Sequence, residues 1–195
     1  MAVKKIVKYG TPSLREKSKE VHKISKKVQI LVEDLYDTLY ALNGVGLAAP
    51  QIGENLRVFV IDTGTDPKTM NPITFINPKI LKKEGAINSY EGCLSFPDAY
   101  TNVRRYKYVK VKALDIKGRP FIIEADEGSL LARAIQHEFD HLEGILFIDH
   151  CRNRFEADKI LIEKGLNPID SNYLLEEKEL EEEIIKNPQN EEKKD

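Results

Sequence analysis

Cysteine, net charge and long apolar runs are all scarce in this chain. Its 195 residues include two cysteines, Cys93 and Cys151, too few for a disulfide framework, so both should stay thiols available for metal binding or chemistry in a reducing cytosol. No run is long enough to span a bilayer, and no apolar segment follows Met1, so we expect a soluble, unexported protein. The formal net charge of −2 favours neither nucleic-acid nor membrane binding.

The length and the 41% hydrophobic content fit one globular domain with a terminal extension. We expect the domain over residues 1–165. An acidic, partly helical extension would then occupy residues 166–195, with its last ten or so residues disordered.

Apolar periodicity predicts an α+β fold rather than alternating βαβ units. The predicted helices cover residues 27–42, residues 126 or 129 to 144, and residues 152–164. The predicted strands cover residues 57–61, 108–114 and 120–124, with short strands at 74–77 and 94–96. We expect antiparallel or mixed strands packed around the second helix.

Residues 137–141 read HEFDH inside the second predicted helix. Positions four apart on an α-helix differ by about 40° in angle and about 6 Å in height, so His137 and His141 project toward one metal. Glu138 lies on the flank, from which its carboxylate can reach a metal-bound water without being a ligand. Two histidines merely exposed on a helix would be the ordinary alternative, but the intervening glutamate and the helical context favour a metallohydrolase.

A catalytic site of this kind needs a third protein ligand. Gly144 fits the extended pattern HExxHxxGxxH, but Phe147 stands where its last histidine would be. Glu156 and Glu163 are downstream acids without distinctive neighbours. Cys93, in the segment EGCLS, could face a cleft as a thiolate, although a lone cysteine is more often a small buried apolar residue.

Residues 44–51 read GVGLAAPQ. Two glycines and two alanines predict a tight loop that other backbone or a ligand approaches closely. Gln51 ends the loop with an amide that can donate a hydrogen bond to an oxyanion.

The three patterns GxGLAAPQ, EGCLS and QHExDH occur in this order and together resemble the signature motifs of peptide deformylases. The similarity covers roughly residues 9–150. It implies a catalytic domain over residues 1–165 that removes the formyl group from the N-terminal formyl-methionine of nascent polypeptides and releases formate. It also implies one divalent metal per chain, with Fe²⁺ as the usual native ion and Zn²⁺, Ni²⁺ or Co²⁺ as substitutes, in a bacterial cytoplasm or an organelle.

The resemblance assigns a role to each matching residue of this sequence. It implies that the metal ligands are Cys93, His137 and His141, and that Glu138 is the general acid and base. It implies an oxyanion hole formed by Gln51 and the backbone N–H of Leu94. The implied methionine pocket is lined by Val45, Gly46, Gly92 and Ala134.

Three positions depart from the family pattern. Tyr100 replaces an arginine that many members use near the peptide backbone, and Arg133 replaces an apolar residue at the pocket mouth. The tail is acidic after Ser171, whereas bacterial relatives can carry a basic helix that docks on the ribosome, so ribosome contact by this surface is not supported. We also predict that Arg104 or, by the family pattern, Arg105 pairs with Asp140 or Glu91 and braces the metal helix.

The sequence leaves two other functional hypotheses open. An HExxH endopeptidase would use a histidine or acidic third ligand and cut internal peptide bonds. A non-catalytic metal protein would complete a closed four-ligand site with His150 or Cys151.

Overall fold

The computed structural model describes residues 2–64, 72–151 and 153–170. The expected disorder and the acidic helical stretch after Ser171 lie outside the described residues. The helices are α1 (Lys26–Ala41), α2 (Leu130–Glu143) and α3 (Arg154–Glu163). The strands are β1 (Gly46–Ala48), β2 (Val58–Ile61), β3 (Ile73–Glu84), β4 (Ile87–Cys93), β5 (Phe96–Arg105), β6 (Tyr108–Leu114) and β7 (Pro120–Ala125).

The strands form two antiparallel sheets, which confirms the α+β class. The larger sheet has the order β1-β2-β3-β6-β7, and β4 and β5 form a separate hairpin. Short 3₁₀ turns follow β1, at Ala49–Ile52, and α2, at Phe147–His150. None of the helices in the described part of the chain is long and apolar enough to cross a membrane.

Strand β2 is buried on both faces, which explains its continuous apolar sequence. Val58 and Val60 pack in the cluster that contains α1, whereas Phe59 and Ile61 pack in the cluster that contains α2. Full burial of each such side chain contributes about 1.5–3 kcal/mol. The two helices therefore cover opposite faces of the larger sheet, and the sheet fixes the position of α2.

Helix α2 begins and ends at residues whose chemistry favours helix termini. The Ser129 hydroxyl accepts a hydrogen bond from the Ala132 backbone N–H at 3.3 Å, which makes Ser129, not Asp126, the N-cap. Gly144 ends the helix with φ of +74°, a left-handed conformation that favours glycine. A Cβ there would also collide with the Arg15 carbonyl oxygen. The predicted boundaries of this helix are confirmed.

One local prediction is wrong and two are incomplete. The short strand predicted at 74–77 runs on to Glu84, because a bulge at Asn77 lets the strand pass Pro78, and proline is tolerated at bulges. The strand predicted at 94–96 is instead a turn, since Cys93 pairs with Phe96 across the hairpin. The predicted loop at 44–51 contains strand β1, because the backbone of residues 46–48 pairs with β2.

Candidate active site

A cleft of about 490 Å³ separates α2 from the β4–β5 hairpin and from the segment around β1. Nearly all the residues predicted for the site line this cleft: Val45, Gly46, Gln51, Gly92, Cys93, Leu94, Ala134, His137 and Glu138. His141 is buried, with 1% of its surface exposed. It contacts Cys93, which lines the cleft. The fold therefore brings together three sequence segments that are far apart along the chain.

Cys93, His137 and His141 converge on one point. Each offers one ligand atom, and these atoms lie within 4.8 Å of one another. The Cys93 Sγ and His141 Nε2 atoms are 3.3 Å apart. His137 and His141 come from successive turns of α2, and Cys93 comes from the end of β4, so helix and hairpin must both be in place to assemble the group.

Glu91, Arg105 and Asp140 form a buried chain of charged side chains, and this chain contacts the Nδ1 side of the His137 ring. Glu91 Oε2 lies 3.0 Å from His137 Nδ1, which leaves Nε2 to face the cleft. Arg105, only 2% exposed, donates to both oxygens of Glu91 at 3.0 and 2.9 Å. Its other Nη atom donates to Asp140 at 2.5 Å. The predicted pairing of Arg105 is confirmed, and it includes both proposed partners.

The same chain of charges sets the protonation of its members. Burial alone would raise the pKa of the Glu91 carboxyl, but Arg105 and His137 hold that pKa well below its usual range. Burial likewise opposes ionisation of Asp140, whereas His150 and Arg105 lower its pKa to about 2. Burial raises the pKa of the Cys93 thiol, but His141 and His137 outweigh burial and lower it well below its ordinary value. The group therefore favours a thiolate and two carboxylates.

Glu138 is buried beside Cys93, His137 and His141, with 4% of its surface exposed. Its Oε2 atom has no hydrogen-bond partner among the described residues. Burial raises the pKa of this carboxyl to about 7, although His137 and His141 oppose the shift. A Cβ on Gly46 would lie 2.5 Å from Glu138 Oε1, so only glycine leaves room for the carboxylate. A group of this kind can accept and return a proton near neutral pH.

Gln51 is held with its amide N–H groups toward the cleft. Its Oε1 accepts a hydrogen bond from the Ala48 backbone N–H at 2.8 Å. Its Nε2 lies 3.3 Å from Cys93 Sγ and 3.4 Å from the Ser95 hydroxyl. The Leu94 carbonyl accepts a hydrogen bond from Lys8 Nζ at 2.9 Å, which fixes the turn beside Cys93. The Gln51 amide N–H groups therefore lie beside Cys93 in the wall of the cleft.

The donor set suits a single divalent metal. One thiolate and two imidazoles are the soft and borderline ligands that transition metals prefer. The Glu91 contact orients the His137 ring as expected for a ligand histidine. Among the described residues these three form the one such cluster. The endopeptidase and closed-site readings are weakened, because Glu156, Glu163, His150 and Cys151 do not join it.

Comparisons with known proteins point to the same family. The profile of the polypeptide deformylase family matches residues 3–156. The chain is 50% identical over 154 residues to a peptide deformylase of Clostridium botulinum, covering 79% of this chain and all of that protein. It is 48% identical over 149 residues to peptide deformylase 1 of Clostridium acetobutylicum, covering 76% of this chain and 95% of that protein.

Solved structures agree. A peptide deformylase from Synechococcus elongatus in complex with actinonin has a TM-score of 0.80 at 38% identity, covering 88% of this chain and 91% of that chain. A peptide deformylase from Legionella pneumophila has a TM-score of 0.78 at 41% identity, and the match covers 84% of this chain and 94% of that chain.

The chain belongs to the polypeptide deformylase family. It is accordingly a metal-dependent hydrolase that removes the N-formyl group from nascent polypeptides.

Two departures from the deformylase pattern lie at the rim of the cleft. The Tyr100 ring covers Gly92 so closely that a Cβ on Gly92 would collide with it. Tyr100 also stacks on Tyr90, with ring centroids 5.9 Å apart, and both rings are half exposed or more. Arg133 lines the cleft between Leu130 and His137. An aromatic pair and a guanidinium thus border the site of this deformylase.

Sequence reasoning missed several contacts of the site. The contacts of Ser95 with Gln51, of Ser89 with Arg133 and of His150 with Asp140 were not predicted, and His150 was considered only as a ligand of a closed metal site. The contacts of Ser89 with Arg133 and of Ser95 with Gln51 each join residues 44 positions apart. His150 meets Asp140 because the short turn after α2 folds back onto that helix. No periodic signal could have revealed them.

Proposed function

We propose that this chain hydrolyses the formamide of N-formyl-methionyl polypeptides with a divalent metal held by Cys93, His137 and His141. Fe²⁺ is the proposed native ion, one per chain, and Zn²⁺, Ni²⁺ or Co²⁺ suit the same ligands. The observation that carries the proposal is the convergence of three ligand atoms within 4.8 Å beside a buried carboxyl whose pKa is raised to about 7.

The proposed chemistry divides into roles for residues of this chain. When bound, the cation supplies Lewis acidity and lowers the pKa of water toward neutrality. Glu138 accepts the proton of the water that adds to the formyl carbon. It then returns that proton to the amide nitrogen as the C–N bond breaks, which yields formate and a free α-amine.

Gln51 Nε2 and the Leu94 backbone N–H donate hydrogen bonds to the formyl oxygen as negative charge develops on it. Each preorganised donor of this kind is worth about 3 kcal/mol in the transition state. Val45, Gly46, Gly92 and Ala134 line the pocket for the unbranched methionine side chain, whose thioether adapts to an apolar slot.

Further assignments belong to the same proposal. Residues 1–165 would form the catalytic unit and 166–195 an appended segment. The enzyme would act in a bacterial cytoplasm or an organelle, with formylated nascent chains as its partners. The acidic composition after Ser171 gives no support for docking on ribosomal RNA.

Replacing Cys93 with Ser tests the metal assignment. A hydroxyl is a poor ligand for a soft divalent ion, so metal content should fall below about a tenth of the wild-type value together with formate release. Elemental analysis and a formate assay on formyl-Met-Ala measure the two quantities. Cys151→Ser is the matched control and should keep both. Full metal content in Cys93→Ser would refute the ligand assignment, and cleavage of internal peptide bonds by wild type would favour the endopeptidase reading.

A further inference from the structure

Arg133 places a cation in the wall of the cleft, next to the proposed methionine pocket. It precedes Ala134 on α2 and lies one helical turn before His137, so its side chain starts on the same face as that ligand. Leu130, Ala134 and Arg133 all line the cleft. The first residue of a substrate bound at the metal would therefore lie within reach of this part of the helix.

The guanidinium of Arg133 is anchored on two sides. Its Nε donates to the Gly128 carbonyl oxygen at 3.1 Å, and its Nη1 donates to the Ser89 hydroxyl at 3.1 Å. Ser89 is itself buried, with 3% of its surface exposed. Both anchors are neutral acceptors on different elements, the loop before α2 and strand β4. The position of the guanidinium is therefore fixed rather than adaptable.

The anchors use only part of the hydrogen-bonding capacity of Arg133. An arginine has five N–H donors, and two donor atoms are engaged here, each by one neutral acceptor. Within residues 2–64, 72–151 and 153–170, no carboxylate lies within ion-pair distance of this guanidinium. Arg105 is different, because two buried carboxylates neutralise it. Arg133 keeps donors for an acceptor that enters the cleft.

We propose that Arg133 allows the first-residue pocket to accept methionine sulfoxide as well as methionine, so that the enzyme also deformylates chains whose initiator side chain has been oxidised. This inference rests on the proposed function. The thioether of methionine offers only a weak acceptor to the remaining donors of Arg133, whereas the sulfoxide presents an oxygen atom on the same side chain. The sulfoxide keeps the length of methionine and adds one polar, chiral acceptor.

The reaction itself is unchanged. Water adds to the formyl carbon, the C–N bond breaks, and formate leaves with a free α-amine, while the sulfoxide keeps its oxidation state. The guanidinium only compensates for the desolvation of the S–O group. A purely apolar pocket would leave that acceptor without a partner and reject the oxidised substrate.

The test compares formyl-Met-Ala with the two separate sulfoxide epimers of formyl-Met(O)-Ala, using the metal-loaded full chain. In wild type we expect kcat/KM for one epimer to lie within about tenfold of that for formyl-Met-Ala. The other epimer should react more slowly, because a fixed donor favours one configuration at sulfur. In Arg133→Met, kcat/KM for the preferred epimer relative to formyl-Met-Ala should fall about 10- to 100-fold, as expected for the loss of a charged hydrogen bond.

Two further variants keep the test decisive. Arg133→Gln retains N–H donors without charge and should give an intermediate ratio. Arg119→Met removes an arginine that pairs with Asp115 in the turn between β6 and β7 and should leave the ratio unchanged. Because every result is a ratio of two substrates on one protein, a general loss of folding or of metal cancels out.

The unfavourable outcomes are distinct. Formate from formyl-Met-Ala with none from either epimer would overturn this inference alone, as would an epimer ratio that Arg133→Met does not change. If Arg133→Met instead altered only the preference between formyl-Met-Asp and formyl-Met-Ala, the guanidinium would recognise the second residue and the inference would be wrong. No formate from formyl-Met-Ala in wild type would overturn the proposed function.

Discussion

The two walls of the cleft are built in different ways. Helix α2 supplies His137, Glu138 and His141 within about one turn, and its own hydrogen bonds and buried apolar face hold them. The opposite wall is the β4–β5 hairpin, which supplies Cys93 and Glu91 from a sheet of only two strands. A two-stranded sheet has little stability by itself. The relative positions of the side chains on α2 are thus fixed by the helix itself. The positions of those on the β4–β5 hairpin depend on contacts with the rest of the molecule.

Two kinds of contact secure the hairpin. Phe96 and Val103 of β5 pack in a third apolar cluster with Phe147, where the rings of Phe96 and Phe147 meet edge to face at 5.0 Å. Arg105, the last residue of β5, joins Glu91 of β4 to Asp140 of α2. The ion pairs therefore connect one wall to the other, and the comparison predicts that changes on each wall have different consequences.

Glu138→Gln, on the helix wall, should give the largest effect on activity. The substitution keeps the shape of the side chain and removes the proton acceptor, so kcat should fall about 10²- to 10⁴-fold while metal content is retained. Steady-state formate release and elemental analysis measure the two. Glu143→Gln, on the same helix but paired with Lys17 and Arg57, is the control. Near-normal turnover in Glu138→Gln would contradict the general-base role.

Arg105→Met, at the junction of the walls, should reduce the free energy of unfolding by about 3–5 kcal/mol. The reason is that two buried carboxylates, Glu91 and Asp140, lose their shared partner. Urea denaturation monitored by circular dichroism measures the change. Arg104→Met, one position earlier on β5 and outside this ion-pair chain, should cost under about 1 kcal/mol. Equal losses in the two variants would show that the hairpin does not depend on these charges.

Gly46→Ala should give a smaller loss, about 1–3 kcal/mol in the free energy of unfolding, because its Cβ would lie 2.5 Å from Glu138 Oε1 and overpack a dense site. A shorter carboxylate should relieve the contact. In a double-mutant cycle with Glu138→Asp, we therefore expect a coupling of at least about 0.5 kcal/mol between the two positions. Additive effects would show that Gly46 and Glu138 do not constrain each other.

The two walls also differ in how well the sequence predicts them. Helix α2 follows from local signals: the Ser129 cap, the apolar period, the HExxH spacing and Gly144. The hairpin is harder to predict, because Gly92 and Pro97 interrupt its pattern and its strands expose Tyr90 and Tyr100. The local sequence pattern therefore predicted a strand at residues 94–96, where the structure has the turn that contains Leu94.

The pairing of Arg105 was predicted because Arg105 follows the second motif in chain order and because the resemblance to the family favours this position. Its bridging of both carboxylates was not predicted, since that depends on how β5 meets α2. Strand β1 was missed for a related reason. Gly46 and Ala48 have low β propensity, so these residues form a strand only because their backbone pairs with β2.

Cys93 and His141 are 48 positions apart along the chain, so binding of a metal to the proposed ligand set would report on folding. A helix can form within about a microsecond from local contacts, but closing the hairpin onto it must overcome the entropy of a much longer loop. A chain in which only α2 has formed offers two imidazoles and no thiolate. With the proposed ligands, tight metal binding would require the completed fold, and free metal at 100 times the Kd would stabilise that fold by about 2.7 kcal/mol.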